Sequence, residues 1–350
     1  MGRLRESNFL IVKIGAIGDV IMASAMIPVI RNLHENAVIT WVVGQSAAEL
    51  VRAIEGVDKV VVVDEKRLLR GTIFSRLRVV SHVWRSTAFR KYRMTIVAHS
   101  DRRYSVLSWF AVCREIKAFY LGHRTGPIPG RWFPNEYVRL VTGEEGPQVL
   151  GPRFPKIQLS QEERIKIGQG KGYVVIAPGG ARNIMRDSPV RRWPVANYVD
   201  VAKELIRENY EVCVVGAESD RGLLEEFSGI DVIDICGRTS LRELCSVIAG
   251  ATAVVTHDSM PLHMGILMGV PVVGIFGPTL PSVFARSVGD AYVQTLWGGE
   301  RLSCSPCYDG KEFATCTDNV CMKSVSVDNV LRAIYNGVKN GEKKRVSENC

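Results

Sequence analysis

The feature that most constrains the fold is an alternation of short apolar runs with longer amphipathic ones along the whole chain. Several short runs are uninterrupted Val and Ile, as strands buried on both faces require. Strands and helices that alternate at this spacing predict the α/β class, with parallel sheets wrapped by helices. The predicted strands are 9–14, 38–43, 59–63, 94–99, 116–121, 173–177, 211–215, 232–235, 253–256 and 270–275, and the predicted helices include 193–208 and 241–249.

A segment rich in Gly and Pro, residues 122–156, interrupts this alternation. The pattern then restarts: "GYVVIAPGGARN" has the same layout as "FLIVKIGAIGDV", an apolar strand that ends in a glycine turn. We therefore expect two Rossmann-like domains, 1–155 and 156–350, with parallel sheets that face one another across a cleft. Ligands of open parallel sheets bind beyond the carboxyl ends of the strands, where both glycine turns lie.

The net charge of +9 is confined to the first half of the chain. Residues 1–150 carry 22 Lys and Arg against 13 Asp and Glu, whereas residues 151–350 carry 23 of each. Within 66–103 there are eleven basic residues and a single acid, Asp101. A solvated helical face would explain any one of these arginines, but the whole cluster favours an anionic partner. Nucleic acid is disfavoured, because aromatic residues are not interleaved with the basic run as base stacking requires.

Two features bear on the compartment. The N-terminus has no uninterrupted apolar core or small-residue cleavage site, and no stretch reaches about 18 apolar residues, so we expect neither a signal peptide nor a spanning helix. Scattered cysteines in or near apolar segments indicate a reducing environment; they are Cys113, Cys213, Cys236 and Cys245, with Cys350 at the C-terminus. A cytoplasmic protein is the expectation.

The first glycine turn, "KIGAIGDVI", contains an ionisable side chain, Asp19. Gly15 and Gly18 relieve crowding there and allow another molecule to approach. The turn matches neither the dinucleotide nor the P-loop pattern. Taken alone, Asp19 is better explained as a helix cap or first-turn acid than as a catalytic base.

Residues 252–279, "TAVVTHDSMPLHMGILMGVPVVGIFGPT", contain a second pair of turns. A strand that ends near Thr256 leads into a helix whose cap is Asp258 or Ser259, with Pro261 at its first position. Such a helix start is a natural phosphate site. Capping does not account for His263, and a further glycine turn follows at Gly277.

Two other loops also follow strands. In "APGGARNIMRDSPVRRWP", Gly179 and Gly180 form a turn and a pair of arginines precedes the next helix. These arginines, Arg191 and Arg192, could clamp a diphosphate, although a solvated basic loop is an equal alternative. In "CVVGAESD", Gly216 ends a strand and Glu218 is placed to hold ribose hydroxyls.

Read in order, "KIGAIGDVI", "PGG" with "RRWP", "VVGAESD", "GRTSLREL", "THDSMPLHMG" and "GVPVVGIFGPT" resemble the lipopolysaccharide heptosyltransferases, glycosyltransferase family 9. The resemblance spans about residues 9–335. It implies a GT-B fold, with an N-terminal acceptor domain and a C-terminal nucleotide-sugar domain. It also implies an inverting, metal-independent transfer of heptose from ADP-heptose to an anionic, lipid-linked lipopolysaccharide core.

The resemblance carries roles onto particular residues. Asp19 matches the family's catalytic aspartate, which favours a general base over a cap. The predicted acceptor residues are Gly15 and Gly18 in the first glycine turn, and Arg102 and Arg103 at the end of the basic run. The implied donor residues are Gly179, Gly180, Arg191, Arg192, Gly216, Glu218, Asp258, Ser259, Met260, His263, Gly277 and Thr279. Met260 stands where the family usually has glycine, Arg191 where lysine is usual, and Ala16 and Ile17 replace a small or polar pair.

Four further cysteines, Cys304, Cys307, Cys316 and Cys321, have the spacing C-x2-C-x8-C-x4-C. This is the count and spacing of a tetrahedral zinc site, which would be structural, because four protein ligands close it. Disulfides, redox-labile thiols and plain packing remain alternatives. No catalytic cofactor is expected.

Other functions remain open from the residues. Two Rossmann-like halves would suit a nicotinamide-dependent oxidoreductase, but the missing G-x-G-x-x-G argues against it. A transferase of the same fold could use another nucleotide sugar or acceptor. A non-catalytic protein that binds nucleotides or anionic lipids is the third alternative, and peripheral contact with the inner face of the inner membrane is compatible with the basic run.

Overall fold

A computed structural model describes residues 7–88, 90–121, 126–143, 153–163, 167, 172–289, 291–310 and 312–348. The chain divides into two compact units, Met1–Gln158 and Leu159–Cys350. Within the described ranges, no helix combines the length and the apolar character needed to cross a bilayer.

The first unit is built on a five-stranded sheet in the order β3-β2-β1-β4-β5, in which all neighbours are parallel. Its strands are β1 (Ser7–Val12), β2 (Ala37–Gly44), β3 (Lys59–Val63), β4 (Lys91–Val97) and β5 (Val112–Ala118). Its helices are α1 (Ile17–Ala23), α2 (Met26–Leu33), α3 (Gln45–Ala53), α4 (Glu65–Arg70), α5 (Ile73–Thr87) and α6 (Phe133–Thr142), with a 3₁₀ helix at Arg102–Ser108.

The second unit has a six-stranded parallel sheet in the order β11-β10-β9-β6-β7-β8. Its strands are β6 (Tyr173–Ala177), β7 (Glu211–Val214), β8 (Ile233–Asp234), β9 (Ala253–His257), β10 (Val272–Phe276) and β11 (Val293–Trp297). Its helices are α7 (Val195–Arg207), α8 (Leu241–Gly250), α9 (Met260–Leu267), α10 (Pro281–Phe284), α11 (Val320–Lys323) and α12 (Val327–Glu348), with 3₁₀ helices at Pro189–Arg191 and Glu218–Phe227.

All ten predicted strands are confirmed, with shifts at their ends. The shifts are largest in β4 and β5, because charged residues within the first four positions of each strand ("KYRMTIV", "VCREIKA") hide its start from apolar patterning. Strand β11 was not predicted, because all five of its residues are only partly buried and its apolar pattern is weak. The central strands β6, β9 and β10 are buried along their whole length, as strands covered on both faces must be.

Both sheets follow the doubly wound order, and each therefore has a point where the winding reverses. In the first unit this point lies between β1 and β4, so the turns that follow those strands open side by side. In the second unit it lies between β6 and β9, next to the "PGG" turn and Asp258. Many of the predicted site residues follow the strands at the two switch points, whereas Gly216 and Glu218 follow β7, and Gly277 and Thr279 follow β10.

Candidate functional site

Asp19 lies in the first turn of α1, just beyond the end of β1. The N-cap residue of this helix is Ala16, and its side chain makes no capping hydrogen bond. The helix-cap explanation of Asp19 is therefore wrong, although the carboxylate is still well placed against the positive end of the helix dipole. A methyl group built on Gly15 meets no atom within 4 Å, so the turn before Asp19 is open.

Two residues that sequence reasoning did not select hold the Asp19 carboxylate. The Lys13 ammonium lies 3.8 Å from Oδ2, and the Tyr137 hydroxyl, brought in by α6, donates to Oδ1 at 3.4 Å. Lys13 also lies 5.4 Å above the Tyr137 ring, a cation–π contact. Burial lowers the pKa of Lys13, and the charge of Asp19 opposes this shift. Since the Asp19 side chain is 35% exposed, it retains capacity to accept another proton donor.

The loop after β4 supports the same turn from the neighbouring strand. The imidazole Nε2 of His99 accepts the backbone N–H of Ile14 at 2.9 Å, and its ring stacks on Tyr104 at 3.8 Å. Burial, followed by the charge of Lys13, lowers the pKa of His99 well below its usual value. A neutral imidazole at this position leaves Lys13 as the cation that faces Asp19.

Arg102 and Arg103 begin the 3₁₀ helix that follows the same strand, β4. Both are exposed, and Arg103 is paired with Asp101 at 2.6 Å. The hydrogen bond from the Arg103 side chain lowers the pKa of Asp101. Of the two predicted acceptor arginines, Arg103 therefore carries a partly neutralised charge.

In the second unit, Asp258 lies at the centre of a buried polar network. Its Oδ2 accepts the Thr279 hydroxyl at 2.9 Å and pairs with the Arg191 guanidinium at 3.3 Å. The carboxylate is almost fully buried, so these partners are what makes its burial tolerable. The network connects the turns after β9 and β10 to the loop before α7.

The N-terminus of α9 also faces this network. Its first residue is Met260, Pro261 is second rather than first, and Ser259 is the N-cap. The Ser259 hydroxyl makes no capping bond and instead contacts the Thr256 hydroxyl at 3.0 Å. Gly180 has φ +85°, and a methyl group built on it would lie 3.5 Å from the Cβ of Ser259. The start of the helix is thus approached by a turn that only glycine adopts without strain.

The two arginines occupy different positions around this turn. Arg192 donates through Nε to the Gly180 carbonyl at 3.0 Å and also pairs with Asp187. Arg192 therefore holds the "PGG" loop in place. The Arg191 guanidinium lies 5.7 Å above the Phe313 ring as well as beside Asp258. Arg191 is thus the arginine that the buried carboxylate orients.

Two histidines lie near this network. The Nδ1 of His257 is 3.1 Å from the Tyr198 hydroxyl, while its Nε2 is buried and makes no hydrogen bond within the described part of the chain. Burial, aided by Arg191 and Arg192, lowers the pKa of His257 to about 3, so the ring is neutral. His263, the histidine selected from the sequence, is buried on α9, one turn into the helix.

The turn after β7 is organised by a carboxylate that the sequence did not single out. Asp220 is buried and accepts the Ala217 backbone N–H at 3.0 Å. A methyl group on Gly179 would lie 2.4 Å from its Cγ, and one on Gly216 would lie 3.1 Å from its Cβ, so both glycines make room for Asp220. Glu218, the predicted ribose ligand, is exposed with Arg221 3.8 Å away. Only its position at the carboxyl end of β7 fits that role.

The segment with the four cysteines packs beside the donor-site residues. Besides the Phe313 contact, Asn319 donates to the Arg192 carbonyl at 3.4 Å, and the Cys307 backbone N–H donates to the Pro278 carbonyl at 3.0 Å. Gly277 serves this packing, because a methyl group there would meet Met322 and Cys321 at 2.6 and 2.7 Å.

Burial raises the pKa of the Cys307 and Cys321 thiols. In the described ranges, no three His, Cys, Asp or Glu side chains are arranged to hold a metal ion. A zinc site at the four cysteines stays a prediction.

Comparison with known proteins identifies a family that the chain resembles. Residues 152–315 match the family "Glycosyltransferase family 9 (heptosyltransferase)". A curated relative, "Lipooligosaccharide heptosyltransferase 2" of Haemophilus influenzae, is 33% identical over 121 residues, which cover 33% of this chain and 35% of that protein. The aligned part of the chain thus spans about a third of the length of this relative.

Two solved structures share the fold over nearly the full length. The family 9 glycosyl transferase of Veillonella parvula has a TM-score of 0.76 at 19% identity, with 97% of this chain and 99% of that chain covered. The Escherichia coli "ADP-heptose lps heptosyltransferase II" has a TM-score of 0.71 at 17% identity, with 96% and 99% covered. The expected GT-B fold is confirmed by these two structures, and residues 152–315 are similar to glycosyltransferase family 9, the heptosyltransferases.

Proposed function

We propose that this protein is an inverting glycosyltransferase that moves heptose from ADP-heptose to the anionic inner core of lipopolysaccharide, without a catalytic metal. The match of residues 152–315 to the heptosyltransferase family, together with the similarity to a lipooligosaccharide heptosyltransferase, supports heptose transfer for lipopolysaccharide synthesis. The donor is taken from the name of the E. coli structure that shares the fold. In this proposal the first switch point activates the acceptor hydroxyl and the second binds the leaving ADP.

The observation that carries the proposal is the partly exposed carboxylate of Asp19 at the first switch point. An inverting transfer is a single displacement, in which the acceptor hydroxyl attacks the anomeric carbon as the bond to the diphosphate breaks. The attacking hydroxyl loses its proton as that bond forms, and Asp19 is the base that accepts it. Lys13 and Tyr137 hold the carboxylate in position and keep a lone pair available.

The leaving ADP requires positive charge and hydrogen-bond donors. Arg191, together with the N–H groups at the start of α9, supplies both beside the Gly180 turn. An arginine in the position of the family's usual lysine keeps the charge and adds a planar set of donors. This cationic group is the basis for proposing a transfer that needs no metal.

The acceptor is proposed to be an anionic, lipid-linked glycan. The surplus of positive charge in the first unit, including Arg102 and Arg103, would attract such a molecule at low and moderate salt. Replacing both arginines with glutamate should raise the KM of the acceptor and leave ADP binding unchanged, whereas Arg301→Glu, at an exposed site in the second unit, should change neither. An unaltered acceptor KM in the double variant would contradict this assignment.

Such an acceptor is made at a membrane, so we also propose that the protein acts in the cytoplasm, in peripheral contact with the inner membrane.

A structural zinc at the four cysteines is a separate proposal. Metal analysis of the purified protein tests it, and an alanine variant at Cys304 and Cys316, both exposed, should lose bound zinc if the site exists.

The first experiment is calorimetric binding of ADP, UDP, GDP and NAD, each with and without EDTA. Selective ADP binding that EDTA does not affect is expected, followed by transfer from ADP-heptose with inversion at the anomeric carbon. A preference for UDP or GDP would reassign the donor within the same class of transferase. Absence of nucleotide binding would overturn the proposal in favour of a non-catalytic protein that binds anionic lipid.

A further inference from the structure

Large apolar side chains are exposed together on one part of the first unit. Of the eleven such residues in the described part of the chain, eight lie between residues 73 and 121. Ile73, Phe74 and Leu77 at the start of α5 are 72%, 85% and 57% exposed. Isolated apolar residues on a surface need no explanation, but a cluster of this kind marks an interaction site.

The cluster continues along α5 to the segment that precedes β5. Ile73, Leu77 and Trp84 are spaced by four and seven residues and so lie along one side of the helix. Trp84 stacks on the exposed Trp109 at 6.4 Å and contacts Phe110 at 4.6 Å. The adjacent flank of α5 is anchored in the core by Val79, Val80 and Val83. We call this set of residues the apolar strip; it consists of the exposed Ile73, Phe74, Leu77, Trp109 and Phe110 and the partly buried Trp84.

A basic pocket of about 300 Å³ lies next to the apolar strip. Its polar lining is Arg67, Arg78, His82, Arg85, Ser75 and Asp64. Asp64 is already engaged, as the N-cap of α4 and the partner of Arg67 at 3.1 Å. Arg78 is four residues after Phe74, so the pocket and the strip adjoin on the helix surface. Three guanidinium groups around one carboxylate leave a net positive pocket that suits a phosphate.

We propose that the apolar strip and the basic pocket form a docking surface for an anionic phospholipid membrane, in which α5 lies along the interface, the strip enters the acyl boundary and the pocket receives lipid phosphates. An interfacial helix has this composition, with Trp, Phe and Leu on one side and arginines on the next. A convex helix flank fits a plane, and the eleven basic residues against one acid in 66–103 complement anionic headgroups. The same charges oppose pairing with a second copy of this chain.

The inference rests on the membrane contact proposed above and assigns the surface that makes it. Vesicle flotation without glycan or nucleotide tests it, with phosphatidylcholine alone and with about 30% phosphatidylglycerol added. The protein should float with the anionic vesicles, and binding should fall about tenfold or more when salt is raised from about 0.1 to 0.5 M. If the protein does not float, its binding of ADP is unaffected. The membrane-docking proposal and the proposed transferase function can therefore fail independently.

Exposed-residue variants separate the two parts of the surface. Phe74→Ser with Leu77→Ser should weaken binding to anionic vesicles about tenfold or more, whereas Leu33→Ser, at an exposed apolar site on α2, should not. Arg78→Gln with Arg85→Gln should also weaken it, and Arg52→Gln on α3, likewise exposed, should not. Brominated lipid should quench tryptophan fluorescence, and Trp109→Phe should remove part of that quenching.

Three results would overturn the proposal. One is equal binding of the wild type to neutral and anionic vesicles. Another is unchanged flotation of the Phe74→Ser, Leu77→Ser variant. The third is a wild type that does not float with anionic vesicles, combined with a change of oligomeric state in the Phe74→Ser, Leu77→Ser variant. That result would assign the apolar strip to contact between copies of this chain.

Discussion

The two switch points hold carboxylates in opposite ways. Asp19 is about a third exposed, and its partners Lys13 and Tyr137 lie at 3.8 and 3.4 Å. Asp258 is buried, with Thr279 and Arg191 at 2.9 and 3.3 Å. A loosely held carboxylate can still accept a proton from a substrate, whereas the lone pairs of the buried one are occupied in orienting an arginine and a loop. The contrast supports the proposal that the chemistry occurs at the first site and nucleotide binding at the second.

The strongest test of this contrast is Asp19→Asn. The amide keeps the shape but cannot act as a base, so kcat should fall by about 10³-fold or more. ADP binding, measured by calorimetry, should be unchanged, because the nucleotide is assigned to the second unit. Retention of transfer within about tenfold of the wild type would remove Asp19 from the chemistry.

Lys13→Met tests whether the loose contacts of Asp19 position it. Methionine fills similar space but removes the cation, so the carboxylate should lose its preferred orientation and kcat should fall by about 10²-fold. The folded protein should not be destabilised, because burial already disfavours the charge of Lys13 and lowers its pKa. A melting temperature that is maintained while kcat falls distinguishes positioning from a structural role; an unaltered kcat contradicts it.

The surroundings of Asp19 show which parts of the site the sequence can predict and which parts require the fold. The strands and the glycine turns follow from local patterns, since each is encoded within a dozen neighbouring residues, whereas the choice of Asp19 as a base came from the family resemblance. Tyr137 reaches Asp19 from 118 positions away, and that contact depends on how α6 packs rather than on any motif. The sequence analysis selected Glu218 and did not consider Asp220 for a similar reason, because only the fold shows that Asp220 is buried beside Gly179 and Gly216.

At the second switch point, Arg191→Ala should weaken ADP binding by about 10- to 100-fold, the usual loss for a charged hydrogen bond. It should also lower the melting temperature, because Asp258 stays buried without its cation. Arg191→Lys should lose less affinity, since the charge remains, and Arg207→Ala, at an exposed pair on α7, should lose none. If Arg191→Ala binds ADP as tightly as the wild type, the diphosphate lies elsewhere.

The buried character of the second site predicts a pH dependence of stability. The pKa of His257 is about 3 in the folded protein and near its ordinary 6.5 when unfolded, so the unfolded chain binds the extra proton between these values. Stability is therefore complete above about pH 6.5 and declines as pH falls toward 3, by about 2 kcal/mol at pH 5 from this residue alone.

Denaturant unfolding at pH 7.5 and 5 measures this loss in the wild type and in two variants. His257→Gln cannot take up the proton and should lose about 2 kcal/mol less between the two pH values than the wild type. His82→Gln, at an exposed position on α5, should retain the wild-type difference. Equal pH dependence in all three proteins would mean that His257 is not buried as a neutral ring.

The smallest expected effect concerns the turn that approaches α9. Gly180→Ala places a side chain at φ +85° and should cost about 1 kcal/mol of unfolding free energy. Its methyl group would lie 3.5 Å from the Cβ of Ser259, close to the proposed diphosphate, so ADP affinity should fall severalfold as well. Gly222→Ala is the matched control: no atom lies within 4 Å of the added methyl, and a gain of up to about 1 kcal/mol is expected there. A loss of stability without a loss of affinity would limit Gly180 to folding and leave ADP binding to Arg191 and the start of α9.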